Sequence, residues 1–345
     1  MTFTKTTLLT SAAVMAAAFT IGMSVPTTPA GAKELKIATF MGPPHFLNRV
    51  AFTNLAKAIG MATGGETTAK LFASGQLGKG PVQQYKRVLD NVAEISFGIQ
   101  GYTSTIFPRT MVVAQPGVGV TAVEITKKFW SVKDKFLNSE YTKMKVLGLW
   151  ANTPPVLMMR NKLVTKFSDV KGMKIRALDA TNIPQMNAWG ASGLHIPISG
   201  VYDALDKGVI DGVWVAINAL FKPWRFAEST KNITDGLKKP SALFWLGMNK
   251  KVWDGLSAKS KAAIDGLTGE QFSIETARGW AKPDAVAEMR AKKGDAGLKY
   301  HVLSDAERAK FDAATDRSVE AFLAKSEKRG IPARAIYAAV TKGGS

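Results

Sequence analysis

The feature that most constrains this chain is an alternation of short apolar strands with amphipathic helical stretches. The first hundred residues predict strands over 34–40, 67–72 and 95–99, separated by helices over 46–62 and 83–92. A β-α-β-α-β order favours a mostly parallel sheet with helices on its faces. The sequence therefore predicts an α/β fold.

A second α/β region follows Pro154 and Pro155. It has predicted strands over 156–159, 174–177 and 212–217, helices over 184–189 and 201–207, and a late strand over 242–248. The rest is helical, with one long helix over 257–280, a kink or break at Pro283, and a helix to about 328 capped by Ser304 and Glu307. Since 345 residues suffice for about two domains, we expect two α/β lobes with late helices returning across both.

Charge and cysteine content narrow the possible functions. The chain has 46 Lys and Arg against 27 Asp and Glu, a formal net charge of +19. Such a bias indicates an acidic partner, which is a nucleic acid, an anionic membrane or a small anion. Cysteine is absent, which excludes disulfides, thiolate zinc sites and a cysteine nucleophile.

Residues 1–32 have the pattern of a secretory signal peptide. Lys5 is their one charge, an apolar run covers 8–23, and Ala30-Gly31-Ala32 forms a cleavage site. A membrane anchor is the alternative, but the run is short and no basic cluster follows it. We expect cleavage near Ala32 and a mature protein in the periplasm, where nucleic acid is not the partner.

No motif nominates a catalytic or metal site. His45, His195 and His301 stand far apart, and none has metal-ligand spacing with another candidate ligand. The sequence contains no G-x-S-x-G elbow, H-E-x-x-H helix or P-loop. It therefore predicts no metal site, no cofactor and no enzymatic activity.

The sequence motifs that are most informative about function lie within residues 169–212. Asp169-Val170-Lys171-Gly172-Met173-Lys174-Ile175-Arg176 is followed by Val201-Tyr202-Asp203-Ala204-Leu205-Asp206-Lys207-Gly208-Val209-Ile210-Asp211-Gly212. These blocks, with the S-x-Q-L-G turn at 74–78, resemble the substrate-binding proteins of tripartite ATP-independent periplasmic (TRAP) transporters. The resemblance covers essentially the whole mature chain.

The resemblance implies a two-lobed periplasmic binding protein fold with hinge strands and a long helix spanning both lobes. The first lobe would comprise residues 33–152 plus 242–280, and the second 153–241 plus 281–345. A ligand would sit in the cleft between the lobes, which close on it by a hinge motion. The implied partners are a small organic anion and the membrane subunits of a TRAP transporter.

The resemblance also places Arg176 in the cleft, where the arginine of K-I-R grips a substrate carboxylate. A guanidinium offers two parallel N–H donors, so it fixes the orientation of the bound carboxylate as well as neutralising its charge. A second arginine that some members carry earlier in the chain falls here at Pro155-Val156, and no acidic residue follows Asp211-Gly212 to support a cation site.

We therefore predict a monocarboxylate ligand with an apolar or aromatic body. The candidate apolar contacts are Phe40, Phe97, Ile99, Ile198, Trp214 and Val215, for each of which core packing is the alternative. The candidate polar contacts are Gln100, Asn152 and Asn218. A secreted enzyme, or a receptor that serves a sensor, remains the alternative function on the same scaffold.

Overall fold

The computed structural model describes residue 2 and residues 32–342, so the predicted signal peptide lies almost wholly outside the described residues. The chain forms two β-sheets covered by helices, which confirms the α/β prediction. The strands are β1 (Lys33–Ala38), β2 (Thr67–Phe72), β3 (Ile95–Ile99), β4 (Met144–Ala151), β5 (Val156–Met159), β6 (Lys174–Ala177), β7 (Ser192–His195), β8 (Gly212–Val215), β9 (Asn232–Asp235), β10 (Leu243–Asn249) and β11 (Lys299–Val302).

The α-helices lie on both sheets. They are α1 (Thr53–Ala62), α2 (Gln84–Leu89), α3 (Thr110–Val113), α4 (Ala122–Val132), α5 (Ile183–Ala188), α6 (Val201–Asp206), α7 (Lys250–Asp254), α8 (Ala258–Leu267), α9 (Glu270–Lys292), α10 (Asp305–Glu327) and α11 (Ala333–Lys342). π-Helical turns extend two of these helices, over Leu47–Phe52 before α1 and Lys133–Leu137 after α4. Within residues 32–342, no helix has the length and apolar composition that crossing a bilayer requires.

The first sheet has the strand order β2-β1-β3-β10-β4. Its first three strands are parallel, as their β-α-β-α-β order predicts, and β10 is antiparallel to both β3 and β4. Phe97 of β3 stacks against Phe40, Trp150 and Phe244, with ring centroids 5.4, 5.7 and 5.8 Å apart. This aromatic stack fills one face of the sheet beside the strand ends.

The second sheet has the order β11-β9-β5-β8-β6-β7. Strands β8, β6 and β7 are parallel, whereas β5 is antiparallel to β8 and to β9. The sequence analysis missed β7, β9 and β11, which are short and have polar residues at most positions. Pairing with neighbouring strands, rather than local propensity, makes these segments extended.

The chain crosses between the sheets after β4 through residues 152–155, returns before β10 through residues 236–242, and crosses again by way of α9 to β11. Helix α9 packs against β4 and α4 on one side and against β11 and the turn at Ile217–Leu220 on the other. The last helix, α11, packs against α3 and α4 beside the first sheet. The lobe boundaries drawn from the sequence stay a prediction.

The prediction of one helix over 257–280 that ends near Pro283 is wrong. The helix breaks at Gly269, whose φ of +90° and ψ of −148° are not helical and whose N–H donates to the Leu147 carbonyl at 2.7 Å. Helix α9 then continues through Pro283 to Lys292. Pro283 removes one backbone donor, but buried residues on both sides of it, Trp280 and Asp284, hold the helix between the sheets.

The break at Gly269 gives a prediction about stability. Gly269→Ala is expected to lower the free energy of unfolding by about 1–3 kcal/mol, because an L side chain is strained at this φ and ψ. No atom lies within 4 Å of an added Cβ, so the cost is conformational rather than steric. Urea unfolding monitored by circular dichroism measures it.

Gly266→Ala is the matched control, since Gly266 lies inside α8 and its added Cβ also meets no neighbour. This change is expected to raise stability by up to about 1 kcal/mol. Equal effects of the two substitutions would contradict the conformational explanation.

Candidate ligand-binding site between the two sheets

A cavity lies between the two sheets, at the ends of β3, β6 and β8. It has about 50 Å³ of space for the centre of a water-sized sphere. Its wall is mostly apolar and aromatic, with a few polar side chains, as in small-molecule sites generally. It is lined by Met41, Ile99, Tyr102, Asn152, Arg176, Leu178, Ile198, Val215, Ala216, Asn218, Ala219, Trp224, Ala242, Phe244 and Trp280.

The structure brings together six of the ten residues that the sequence analysis proposes for the ligand contact. Arg176, Ile99, Asn152, Val215 and Asn218 all line this cavity. They come from β6, β3, β8, the crossing segment after β4 and the 3₁₀ turn over Ile217–Leu220. Ile198, a further apolar candidate, lines the cavity as well.

Phe40, Gln100 and Trp214 do not line the cavity. Successive residues of a strand point to opposite faces, so Val215 reaches the cavity while Trp214 packs at right angles on Trp189 in the core. Gln100 likewise follows Ile99 and turns away, donating from Nε2 to the Tyr141 hydroxyl at 3.2 Å. Phe40 stacks on Phe97, whose ring also lies outside the lining.

The sequence analysis did not assign Tyr102, Trp224, Phe244 or Trp280 to the cavity wall. A 3₁₀ turn over Gln100–Thr103 brings the chain back after Gln100, so that Tyr102 faces the second sheet. Trp280 lies on α9 and packs on Phe244, with ring centroids 4.7 Å apart. No local pattern distinguishes such aromatic residues from core residues, and only the meeting of distant segments identifies them.

Arg176 is buried, with 2% of its surface exposed, and every one of its described acceptors is neutral. Its Nε donates to the Ile196 carbonyl at 2.9 Å, and Nη2 donates to the Tyr102 hydroxyl at 3.2 Å. Nη1 makes a weak contact of 3.4 Å with the Trp214 carbonyl. Among residues 32–342, no carboxylate lies within 4.0 Å of this guanidinium.

Tyr102 joins the two halves of the site. Besides the bond from Arg176, its hydroxyl oxygen accepts the backbone N–H of Ile198 at 2.8 Å. Burial raises the pKa of Tyr102, so the phenol keeps its proton near neutral pH. With two donors on its oxygen, the hydroxyl has its own proton to give to another acceptor.

Two further titratable groups lie behind this pair. Burial raises the pKa of Asp179, whose Oδ1 accepts from the backbone and hydroxyl of Thr181. Burial and the charge of Arg176 lower the pKa of His195. The Asp179 side chain packs directly against the backbone at Gly101. Only glycine allows this contact, because an added Cβ would lie 2.3 Å from Oδ2 of Asp179.

Burial also lowers the pKa of Arg176, against the opposing influence of Tyr102 and Asp179. Arginine nonetheless stays protonated in proteins. The cavity wall therefore presents a desolvated cation whose neighbours compensate it only in part.

Asn218 and Asp284 form a second polar pair at the cavity. Asp284 Oδ1 accepts the backbone N–H of Asn218 at 2.9 Å, and its side chain also interacts with Thr153. The Asn218 side chain also lies beside the Asp284 carboxyl and acts to lower its pKa, but neither the buried Asn218 Nδ2 nor the buried Asp284 Oδ2 makes a hydrogen bond of standard geometry to a described residue. Buried polar groups are normally paired, so an unpartnered amide at a cavity is a candidate ligand contact.

The histidines do not form a metal site. His45 packs edge-on against Trp280, and burial lowers its pKa to about 4. Its Nδ1 accepts the backbone N–H of Leu47 at 3.2 Å. Across the described part of the chain, no three His, Asp or Glu residues stand close enough to hold a metal ion together.

The two sheets, the crossing segments and the cavity between them have the arrangement of a solute-binding protein. The comparison with protein families agrees with this class: residues 38–326 match the bacterial extracellular solute-binding proteins of family 7. The chain belongs to this family. The match confirms the resemblance drawn from the motifs over 169–212.

Three similar proteins illustrate the relationship. The outer membrane transporter protein TsaT of Comamonas testosteroni is 23% identical over 301 residues, which are 86% of this chain and 87% of TsaT. A TRAP solute binding protein from a marine metagenome, described as specific for aromatic acid ligands, was crystallised with 3-hydroxybenzoate. It has a TM-score of 0.85 at 24% identity, over 90% of this chain and 97% of that one.

The third is a TRAP solute binding protein from Rhodoferax ferrireducens T118, in complex with copurified benzoate. Its TM-score is 0.84 at 24% identity, over 90% of this chain and 96% of that one. At these identities the two solved structures show a shared fold.

Asp284 makes a prediction about pH. Burial raises its pKa from an ordinary value of 3.8 to about 6, so the folded chain holds this proton more tightly than the unfolded chain. The contribution of Asp284 to the free energy of unfolding is therefore greatest below pH 4. It falls as the pH rises toward 6 and is constant above that. The full difference is about 3 kcal/mol.

Asp284→Asn stays uncharged and removes this dependence. The stability of the variant relative to the parent is expected to rise between pH 4 and 6.5 in urea unfolding. The exposed Asp203→Asn serves as the control. A difference between Asp284→Asn and the parent that stays constant over this range would contradict the assignment.

Proposed function

We propose that this chain is the periplasmic solute-binding subunit of a TRAP transporter. It captures a monocarboxylate with an aromatic or apolar body and delivers it to the membrane subunits. The observation that carries the proposal is the buried guanidinium of Arg176, which faces an apolar cavity without a carboxylate partner.

The hydrogen bonds of Arg176 leave room for a carboxylate. A guanidinium has five N–H groups, and the described contacts use one on each nitrogen. One N–H on each of Nη1 and Nη2 is left, and these two nitrogens together match the two oxygens of a carboxylate. An uncompensated cation is costly to bury, so an anion at this position relieves a penalty as well as adding an attraction.

The rest of the wall supports a ligand with a flat apolar body. Tyr102, Trp224, Phe244 and Trp280 supply aromatic surface, with Leu178 among the aliphatic contacts. Aromatic side chains bury a large area against a ring and prefer offset or edge-on geometry. The Tyr102 hydroxyl and the Asn152 amide supply polar contacts that orient such a ligand.

The related proteins support the same ligand class. Two of the solved structures with this fold, the two described above, hold benzoate and 3-hydroxybenzoate, each a carboxylate on an aromatic ring. The family is one of extracellular solute-binding proteins, which supports export and a binding rather than an enzymatic role, while cleavage near Ala32 stays a prediction from the sequence. Recovery of the ligand unchanged after incubation, judged by mass spectrometry, separates binding from turnover.

Replacement of Arg176 tests the carboxylate contact. Arg176→Gln is expected to weaken benzoate binding by at least about 100-fold, since a desolvated charge-assisted pair is lost, in isothermal titration calorimetry. Arg160→Gln is the control, because Arg160 is partly exposed and lies outside the cavity. Circular dichroism establishes that both variants are folded. Parent-like affinity in Arg176→Gln would rule out this contact.

A thermal-shift panel tests the ligand class. Benzoate, 3-hydroxybenzoate and phenylacetate are expected to raise the melting temperature in the order of their affinities. Ligand binding adds about 2.7 kcal/mol to the free energy of unfolding at a hundredfold excess over Kd. Benzamide, which lacks the charge, is expected to give no shift. Stabilisation by C4-dicarboxylates or sugar acids, and none by aromatic monocarboxylates, would overturn the proposed ligand class.

A further inference from the structure

A larger groove adjoins the cavity. It has about 700 Å³ of space by the same measure and is open to solvent. Asn218 and Trp280 line both spaces, so the cavity and the groove meet at these two residues. The buried Asn218 Nδ2, which makes no hydrogen bond of standard geometry to a described residue, lies at this boundary.

The rim of the groove is cationic. Arg49, Lys222 and Lys282 come from the π-helical turn before α1, the loop after β8 and helix α9. All three are exposed, and none has a carboxylate within 4.0 Å among residues 32–342. Of the described residues that line the groove, none is acidic. Three segments that are distant in sequence thus each contribute one positive charge to the rim of the groove.

Arg290 is a fourth cation in the groove, and it is held in position. Its guanidinium lies 3.5 Å from the centroid of the Phe221 ring, and its Nε donates to Asp295 Oδ2 at 2.9 Å. Neither of its Nη atoms makes a hydrogen bond to a described residue. The neighbouring surface is apolar, with Phe46, Val50 and Val286.

We infer that the outer groove is a subsite for a second acidic group of the ligand. This inference rests on the proposed function and extends its ligand class from monocarboxylates to aromatic acids that carry a second anionic group on the far side of the ring. The first carboxylate lies on Arg176, and the body passes Trp280 and Asn218. The second anion then reaches the cationic rim, where several exposed cations add up although each contributes little alone.

The test compares ligands that differ only in the second charge. The pairs are 4-methylbenzoate with terephthalate, and 4-methylphenylacetate with 1,4-phenylenediacetate. The variant Arg49→Gln/Lys222→Gln/Lys282→Gln removes the rim charges. Its control is Arg317→Gln/Lys57→Gln/Lys328→Gln, which removes the same types of exposed charge outside both cavities. Arg290 is kept, because it pairs with Asp295.

In the parent and the control, we expect the dianion of at least one pair to bind about tenfold more tightly than its monoanion, through slower dissociation in stopped-flow fluorescence. The rim variant is expected to lose this preference and keep its affinity for the monoanion. Inorganic phosphate alone, at constant ionic strength, is expected to give no difference in melting temperature between the parent and the rim variant.

The subsite would be overturned if the rim variant and the control showed the same preference for the dianion. It would also be overturned if that preference arose only from faster association. The third contrary result is a parent that binds the monoanions and favours neither dianion. Stabilisation of the parent alone by phosphate, without a dianion preference, would assign the groove to a free anion instead. A parent that binds none of the four acids would refute the proposed function itself.

Discussion

The interaction on which the site depends is the hydrogen bond between Arg176 and Tyr102. Tyr102 follows a strand of the first sheet, while Arg176 and Ile198 belong to the second half of the chain, and both donate to its hydroxyl. Buried donors of this kind are costly to leave unpaired, so the contact fixes how closely the two sheets approach. The pair that supplies the charge of the cavity thus also sets its width.

The burial of Arg176 decides what the cavity selects. Neutral carbonyls and a phenol accept three of its N–H groups, and solvent reaches only 2% of its surface. A neutral ligand leaves the cost of this desolvated cation in place, and a cationic ligand increases it. Under the proposed function, selectivity for acids therefore arises as much from what the site disfavours as from what it attracts. The aromatic wall then separates one acid from another by shape.

The sequence predicted those parts of the fold that local patterns encode. The predicted strands over 174–177 and 95–99 contain Arg176 and Ile99, whereas the place of Arg176 in the cleft came from the resemblance to TRAP substrate-binding proteins. The pleat allows only one of two neighbouring residues to face the cavity, and the sequence could not tell whether Trp214 or Val215 did so, since both are apolar. The place of Trp280 in the cavity wall could not be predicted, because it depends on how α9 crosses both sheets. The helix break at Gly269 could not be predicted either, because it depends on a hydrogen bond to the distant strand β4.

The division of the site between the two halves of the chain has an evolutionary consequence. The guanidinium is encoded within residues 153–241, whereas Tyr102, Phe244 and Trp280 are encoded outside that range. Ile198, Val215 and Trp224 of the cavity wall lie inside that range together with the guanidinium. Recombination between homologous genes at residues 152–155 and 236–242 therefore exchanges the cation and one part of the wall, and keeps the three aromatic side chains encoded outside.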